Sequence, residues 1–310
     1  MSNKVSIIEY HYVRDLKNSR YPEIKGLDVG LFKKQLDFIL KHYWVIRMED
    51  LIEAVQFKKK LPENALLLTF DDGYRDHFEF VFPILNSLGL QGSFFPPVLA
   101  VEGRKVLDVN KIHFVLASVS DKKQIIKDLF ALLDIYRKEY ALEENSYYYN
   151  KLAKPGRFDP KEVVFIKIML QKELPEKLRQ GIADLLFKKY VSSDEKSFSR
   201  ELYMDTEQIK LMKKNGMYFG SHGFDHYWLD ALAPEKQERE IDMSLKFLKE
   251  IGCDISAWVK CYPYGTYNDS LVNILKEKKC ALGLIEGGRV ADLDRDDPLL
   301  LPRVDTKDLL

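Results

Sequence analysis

The sequence predicts an α/β fold built on a parallel sheet, and three observations carry that prediction. Short apolar stretches of strand length recur along the 310 residues. Most of the segments between them show helical patterning with recognisable ends. The strand candidates number seven, more than a small doubly wound sheet needs, which favours a barrel whose strand ends carry the chemistry.

In chain order the candidate strands are 5–12, 44–46, 66–70, 92–95, 217–220, 259–261 and 281–284. The stretch FEFVFPILNSLG after the third is helical and closes at Gly89. Asp205 begins another helix, with Gln208 three residues on completing a capping box and Gly216 ending it. A long helix from about Pro234 closes at Gly252. From about residue 100 to 203 the rhythm changes to mainly helical, between the fourth and fifth strand candidates, with 20 Lys+Arg against 15 Asp+Glu over residues 101–200. This segment holds the aromatic run Tyr147–Tyr149 and a break at Lys154-Pro155-Gly156. It reads as an insertion within one domain spanning 1–310, and as a substrate cap or a packing elaboration. No internal repeat or low-complexity tract is present.

With 46% hydrophobic residues the chain can fill a sizeable core, and 48 basic against 48 acidic residues give no electrostatic reason to expect nucleic acid or an anionic membrane as partner. A small molecule is the expected partner. The opening residues MSNKVSIIEYHYV lack the basic and apolar regions of a secretory signal, and no stretch is apolar enough to span a bilayer. Three cysteines, Cys253, Cys261 and Cys280, are odd in number and lack a C-x-x-C spacing, which argues against a disulfide framework. The expected location is the cytoplasm.

The third strand candidate runs straight into Asp71, Asp72 and Gly73. Carboxylates at the end of a buried strand need compensation, from a cation or from a turn that exposes them. A later stretch, YFGSHGFDHYWL, carries His222 and His226 four apart after another strand. Gly223 sits where a helical H-E-x-x-H motif would place its glutamate, so a base must come from elsewhere. Two imidazoles and one carboxylate make a three-ligand site with positions left for water and substrate, and the second carboxylate can serve as base. In VKCYPYGTYND, a further strand ends in Tyr262-Pro263-Tyr264-Gly265, where a backbone N–H could stabilise an oxyanion.

Together TFDDG at 69–73, H-x-x-x-H at 222–226 and Y-P-Y-G at 262–265 resemble the polysaccharide deacetylase (NodB-homology) family, carbohydrate esterase family four. The resemblance covers roughly residues 5–100 and 204–305. It implies a distorted (β/α) barrel of about seven parallel strands and hydrolysis of an N-acetyl group from an amino sugar. It also implies a divalent metal, expected to be zinc, with cobalt, nickel or iron compatible with the ligand set. Asp71 would be the general base, Asp72, His222 and His226 the metal ligands, and the N–H of Tyr264 part of the oxyanion site.

Three departures from the family pattern stand out. Gly223 replaces the usual Ser or Thr, Cys261 replaces an arginine that restrains the base, and no histidine follows His226 to act as acid. Arg303, in LLLPRVDT, is the candidate to stand in for the arginine. His11, at the end of the first strand, is the candidate acid, as in a branch of the family whose motifs are circularly permuted. His11 and Asp71 are then expected on opposite sides of the metal. His42 and His113 read as surface or packing residues, His77 as a helix-start residue and Asp76 as its cap. The expected substrate is a nucleotide-linked or lipid-linked acetamido sugar used in surface-glycan synthesis. A non-acetyl or non-sugar amide, an O-acetyl ester and a non-catalytic glycan-binding barrel are the alternatives; the oligomeric state stays open.

Overall fold

Side chains alternate across the strands of the barrel, so each strand divides its residues between an inner face and a face turned to the helices. The computed structural model describes residues 3–103, 105–157 and 159–309. Its barrel strands are β1 (Lys4–Tyr10), β2 (Ala65–Asp71), β3 (Ser93–Phe95), β4 (Tyr218–Phe219), β5 (Val259–Cys261), β6 (Leu282–Glu286) and β7 (Leu301–Asp305). Neighbours in the chain are neighbours in the sheet, all parallel, from β1 to β4 and from β5 through β7 back to β1. Ser221, just past β4, bridges to Lys260 in β5 through Ser221 N to Val259 O (2.9 Å) and Cys261 N to Ser221 O (2.8 Å). That single bridge links the two ends of the ladder, which makes the sheet the distorted seven-stranded parallel barrel the sequence predicts.

The strand expected at Trp44–Ile46 is present, but it pairs beside the ring and not within it, and one barrel strand went unread. Trp44–Val45 is a two-residue strand pairing only with the start of β2, and Trp44 is exposed. The seventh place belongs to β7, whose Pro302 disguises it by removing one ladder donor.

Period two explains what faces inward. Val5, Ile7, Leu67, Val259, Leu284 and Leu301 fill the inner core, while Ile8, Tyr10, Leu66, Leu68 and Phe70 meet helix residues such as Phe32, Leu36, Leu85 and Met212. Continuing the inner set toward the strand C-termini brings Glu9, Thr69, Asp71, Cys261 and Arg303 onto the same face, all buried. A dry lower layer thus gives way to a polar upper layer. The expected capping box holds, with Gln208 N donating to Asp205 Oδ1 (2.8 Å) and Asp205 N donating to Gln208 Oε1 (3.0 Å). Gly89, Gly216 and Gly252 end their helices at φ 67°, 88° and 81°.

The chain divides into two units: Met1–Asp15, Gly26–Lys105 and Ser199–Leu310, which hold the barrel, and Leu16–Lys25 with Val106–Phe198. The second unit is helical, with helices at Asp108–Ser118, Lys122–Tyr136, Asn145–Leu152, Lys161–Ile168 and Glu176–Tyr190. Its Lys111 is fully buried among Asp184, Glu195 (3.0 Å) and Asp108 (3.6 Å). Of the aromatic run, Tyr148 is buried and Tyr149 packs edge-on against Phe165, leaving Tyr147 as the exposed member. Among the described residues no helix is long and apolar enough to cross a membrane.

Candidate metal centre

β2 delivers two adjacent aspartates to different tasks because the chain reverses between them. Asp71 keeps strand geometry, while Asp72 takes φ 68° and Gly73 φ 66°. Left-handed backbone is uncommon for a residue with a side chain, and here it recurs at His226 (φ 55°) and Tyr264 (φ 58°). Three of the residues singled out from sequence thus hold conformations that persist only where the surroundings impose them.

Asp72, His222 and His226 converge. Asp72 Oδ1 lies 3.5 Å from His222 Nε2 and 3.3 Å from His226 Nε2, and all three residues are buried. The opposite nitrogen of His222, Nδ1, faces the carbonyl of Cys261 at 3.0 Å, so Nδ1 carries the proton and Nε2 presents a lone pair. Tyr74 donates its hydroxyl to Asp72 Oδ2 at 2.5 Å, leaving Oδ1 buried without a hydrogen bond. Burial keeps the His222 ring below its ordinary pKa, in the neutral form a metal needs. An anionic oxygen and an imidazole lone pair aimed at one point repel each other unless a cation lies between them. The donor set fits a divalent metal, and two nitrogens with one oxygen suit zinc.

Beside this set, Asp71 is gripped by Arg303, whose Nη1 and Nη2 donate to Oδ1 (3.0 Å) and Oδ2 (2.7 Å). Nη2 also lies 2.8 Å from Glu9 Oε2, and Nη1 donates to Thr69 Oγ1 at 3.2 Å. Cys261 Sγ sits 3.3–3.4 Å from the Asp71 oxygens. Burial pushes Asp71 up, but the Arg303 guanidinium and neighbouring histidines hold it ionised far below the ordinary carboxyl value. Asp71, His222 and Cys261 form a second convergent group. It is the poorer donor set, because Arg303 engages both Asp71 oxygens and burial keeps the Cys261 thiol protonated.

His11 follows β1 at the same end of the barrel, with its side chain 43% exposed and Nε2 4.0 Å from Asp71 Oδ2. It therefore flanks Asp71 at close range, where the sequence reading expects the two across the metal from one another. Burial favours the neutral ring, but the carboxylates of Glu9, Asp71 and Asp72 prevail and raise its pKa. Tyr264 lies in the Pro263–Gly265 turn after β5, its ring 4.8 Å edge-on from His226 and stacked on Trp228 at 4.2 Å.

Of two neighbours, local sequence reasoning placed His77, which opens the helical turn His77–Val81, and misassigned Asp76. Asp76 caps nothing; it accepts from Arg14 Nε at 2.7 Å, 62 residues away. His77 is fully buried, its Nε2 2.8 Å from the His11 carbonyl, and burial pushes it down to about 4, which keeps it neutral. His42 is exposed and His113 half-buried, as expected. Sequence reasoning missed Glu9, Tyr74 and Glu240. Glu9 alone had a visible signal, a carboxylate on the inward alternation of an apolar strand.

Comparisons with known proteins bear on the family and the fold. Residues 187–282 match the family model described as polysaccharide deacetylase. A poly-β-1,6-N-acetyl-D-glucosamine N-deacetylase of Escherichia coli K12 is 32% identical over 82 residues, 26% of this chain and 12% of that protein. A putative polysaccharide deacetylase, YxkH of Bacillus subtilis, is 26% identical over 100 residues, 32% of this chain and 36% of that protein. The chain therefore aligns with only a minor part of the length of these relatives. Among solved structures, Streptococcus pyogenes deacetylase PplD in complex with acetate superposes with TM-score 0.58 at 16% identity, over 98% of this chain and 93% of that one. IcaB from Ammonifex degensii gives 0.55 at 17%, over 99% and 93%. At such identities the structural likeness speaks for the fold alone. With the family match over residues 187–282 and the curated relatives added, the resemblance read from the three motifs stands: this chain is similar to the polysaccharide deacetylases.

Proposed function

We propose that this chain is a metal-dependent N-deacetylase acting on an acetamido-sugar glycan, with Asp72, His222 and His226 as the ligands of a divalent metal, zinc first among the candidates. The observation that carries the reading is the buried, unbonded Asp72 Oδ1 facing two imidazole Nε2 atoms beside a second carboxylate locked to Arg303. When bound, the metal supplies Lewis acidity toward the acetamide carbonyl and toward water. Asp71 takes the proton of the attacking water, and Arg303 keeps it ionised for that purpose. His11, half-exposed at the rim, gives a proton to the leaving amine, while the Tyr264 N–H faces the oxyanion. The helical segment 100–203 is an insertion into a barrel domain that otherwise runs through the chain.

The name of the Escherichia coli relative makes a poly-N-acetylglucosamine oligomer the first substrate to test. A nucleotide-linked or lipid-linked acetamido sugar is the second reading, favoured by the basic excess of residues 101–200. Acetate release from an acetylated oligomer, a sugar nucleotide, the free sugar and an O-acetyl ester, with metal content measured in parallel, separates them. Preference for the ester would replace the amide reading. Asp71→Asn is expected to keep its metal and lose on the order of 10²–10⁴ in rate. A protein that binds no zinc, cobalt, nickel or iron and releases no acetate would defeat the proposal and leave a binding barrel.

A further inference from the structure

The five residues His222–His226 carry two of the three candidate ligands, yet they include no regular element of their own. Their backbone is fixed from outside. Glu240, buried in the helix Pro234–Glu250, turns a single oxygen, Oε2, to two consecutive amides, accepting from Phe224 N at 2.8 Å and Asp225 N at 3.0 Å. The carbonyls of Gly223 and Phe224 accept from Val98 N (3.3 Å) and Leu99 N (2.9 Å), at the start of the helix Val98–Glu102. The loop is thus held by its donors through one carboxylate and by its acceptors through a helix start.

Gly223 is part of the same arrangement. Its φ is 93°, and a Cβ built there would lie 3.3 Å from Glu240 Oε2 and 3.5 Å from Lys260 Nζ. The Ser or Thr usual at this position in the resembling family would be strained by this φ, and its Cβ would press on the Glu240 carboxylate. The carboxylate fills the space that such a side chain would need. His226 then takes φ 55°, a conformation a histidine keeps only under external restraint.

We propose that Glu240 is a positioning residue for the metal ligands, holding the 222–226 loop so that both Nε2 atoms face Asp72, in place of the hydroxyl absent at Gly223. The inference rests on the metal-site reading above. Two hydrogen bonds converge here on one oxygen from neighbouring peptide groups, so a single side chain fixes two consecutive amides. Removing the acceptor leaves two half-buried amides without this partner, and the loop regains conformations in which the imidazoles no longer converge.

The test is metal binding to the metal-free protein, with zinc in competition with a chromogenic chelator and with cobalt(II) followed by its visible spectrum. Glu240→Ala is expected to weaken zinc binding about 10–100-fold, the usual effect of deleting a partner that orients a ligand, and to alter the cobalt bands. Glu240→Gln keeps a carbonyl oxygen in reach and should stay within a few-fold of the wild type with an unchanged spectrum. Glu240→Asp withdraws the oxygen by one methylene and should resemble Glu240→Ala. Thermal melts of the metal-free proteins read folding separately, and if Glu240→Ala fails to fold, the Gln and Asp variants decide. A folded Glu240→Ala or Glu240→Asp protein binding zinc as tightly as the wild type, or a Glu240→Gln protein as weak as Glu240→Ala, overturns the proposal. A wild-type protein that binds neither metal instead refutes the metal site itself.

Discussion

Replacing Arg303 by methionine removes the single guanidinium that compensates two enclosed carboxylates. Arg303 reaches Asp71 through two hydrogen bonds of 3.0 and 2.7 Å and Glu9 at 2.8 Å, and its side chain is about 1% exposed. Methionine conserves much of the length and none of the charge, so Asp71 and Glu9 stay buried beside each other with only the half-exposed His11, 4.0 Å from Asp71, as a nearby countercharge. Breaking a buried pair by deleting one partner costs about 3–5 kcal/mol. At roughly 2–4 °C per kcal/mol for a domain of this size, the unfolding midpoint should fall by roughly 6–20 °C. The rate of deacetylation should fall toward the loss seen on removing the base itself, on the order of 10²–10⁴, with zinc content unchanged. Circular-dichroism melts of the metal-free protein, elemental analysis and acetate release supply the three readouts. The double variant Arg303→Met/Glu9→Gln should recover part of the lost stability, because one of the stranded charges is gone and neighbours couple. An Arg303→Met protein melting within about 2 °C of wild type and turning over at the wild-type rate would refute the assignment of Arg303 as the partner of Asp71.

His11→Ala should lower the chemical step on the order of 10²–10⁴ while leaving metal content intact, checked by single-turnover acetate release beside elemental analysis. Tyr74→Phe loses the 2.5 Å bond to Asp72 Oδ2. Zinc affinity should drop about 10-fold in chelator competition, with the fold preserved. Lys260 is fully enclosed, its Nζ has no hydrogen bond, and burial pushes it from 10.5 down to about 8. The unfolded chain holds that proton more tightly, so the destabilisation is complete below pH 8 and is relieved as pH climbs from 8 toward 10.5, about 3 kcal/mol in all. Lys260→Met should therefore melt higher than wild type at pH 7, with the difference shrinking on titration to pH 10 in a series of thermal scans.

The strands that could be read from sequence were those whose apolar runs end in abrupt polarity. The run 66–70 before Asp71 and the stretch before His222 announced both the sheet and its active end, because strand alternation fixes which side chains share the interior. β7 was harder, since Pro302 speaks against a strand and only the partner ladder of β6 shows that its missing donor is tolerated. Trp44–Ile46 reads correctly as a strand, but nothing local shows that it pairs beside the ring and not within it. Asp76 illustrates the opposite failure. A helix-start rule assigned it a local amide, whereas Arg14 claimed it from an element whose proximity no local pattern encodes. Glu240 gave no signal, because its partners are peptide groups, which every residue has alike.

A barrel whose strands follow in chain order must meet itself somewhere, and here the meeting point is one bridge between Ser221 and Lys260, next to His222. β4 is two residues long, so the strand that delivers both imidazoles is also among the least anchored in the ladder. Cross-linking its trailing loop to Asp72 at the end of β2 would work as a clasp on that seam. With the proposed metal, loading and ring closure would be one equilibrium: binding would favour the shut barrel and, by the same free energy, keep it shut. Chelation should loosen the molecule first along this seam, with amide exchange rising at Ser221 and Cys261 before it rises in the β1–β2 ladder, where six residue pairs stay zipped from Val5 to Tyr10.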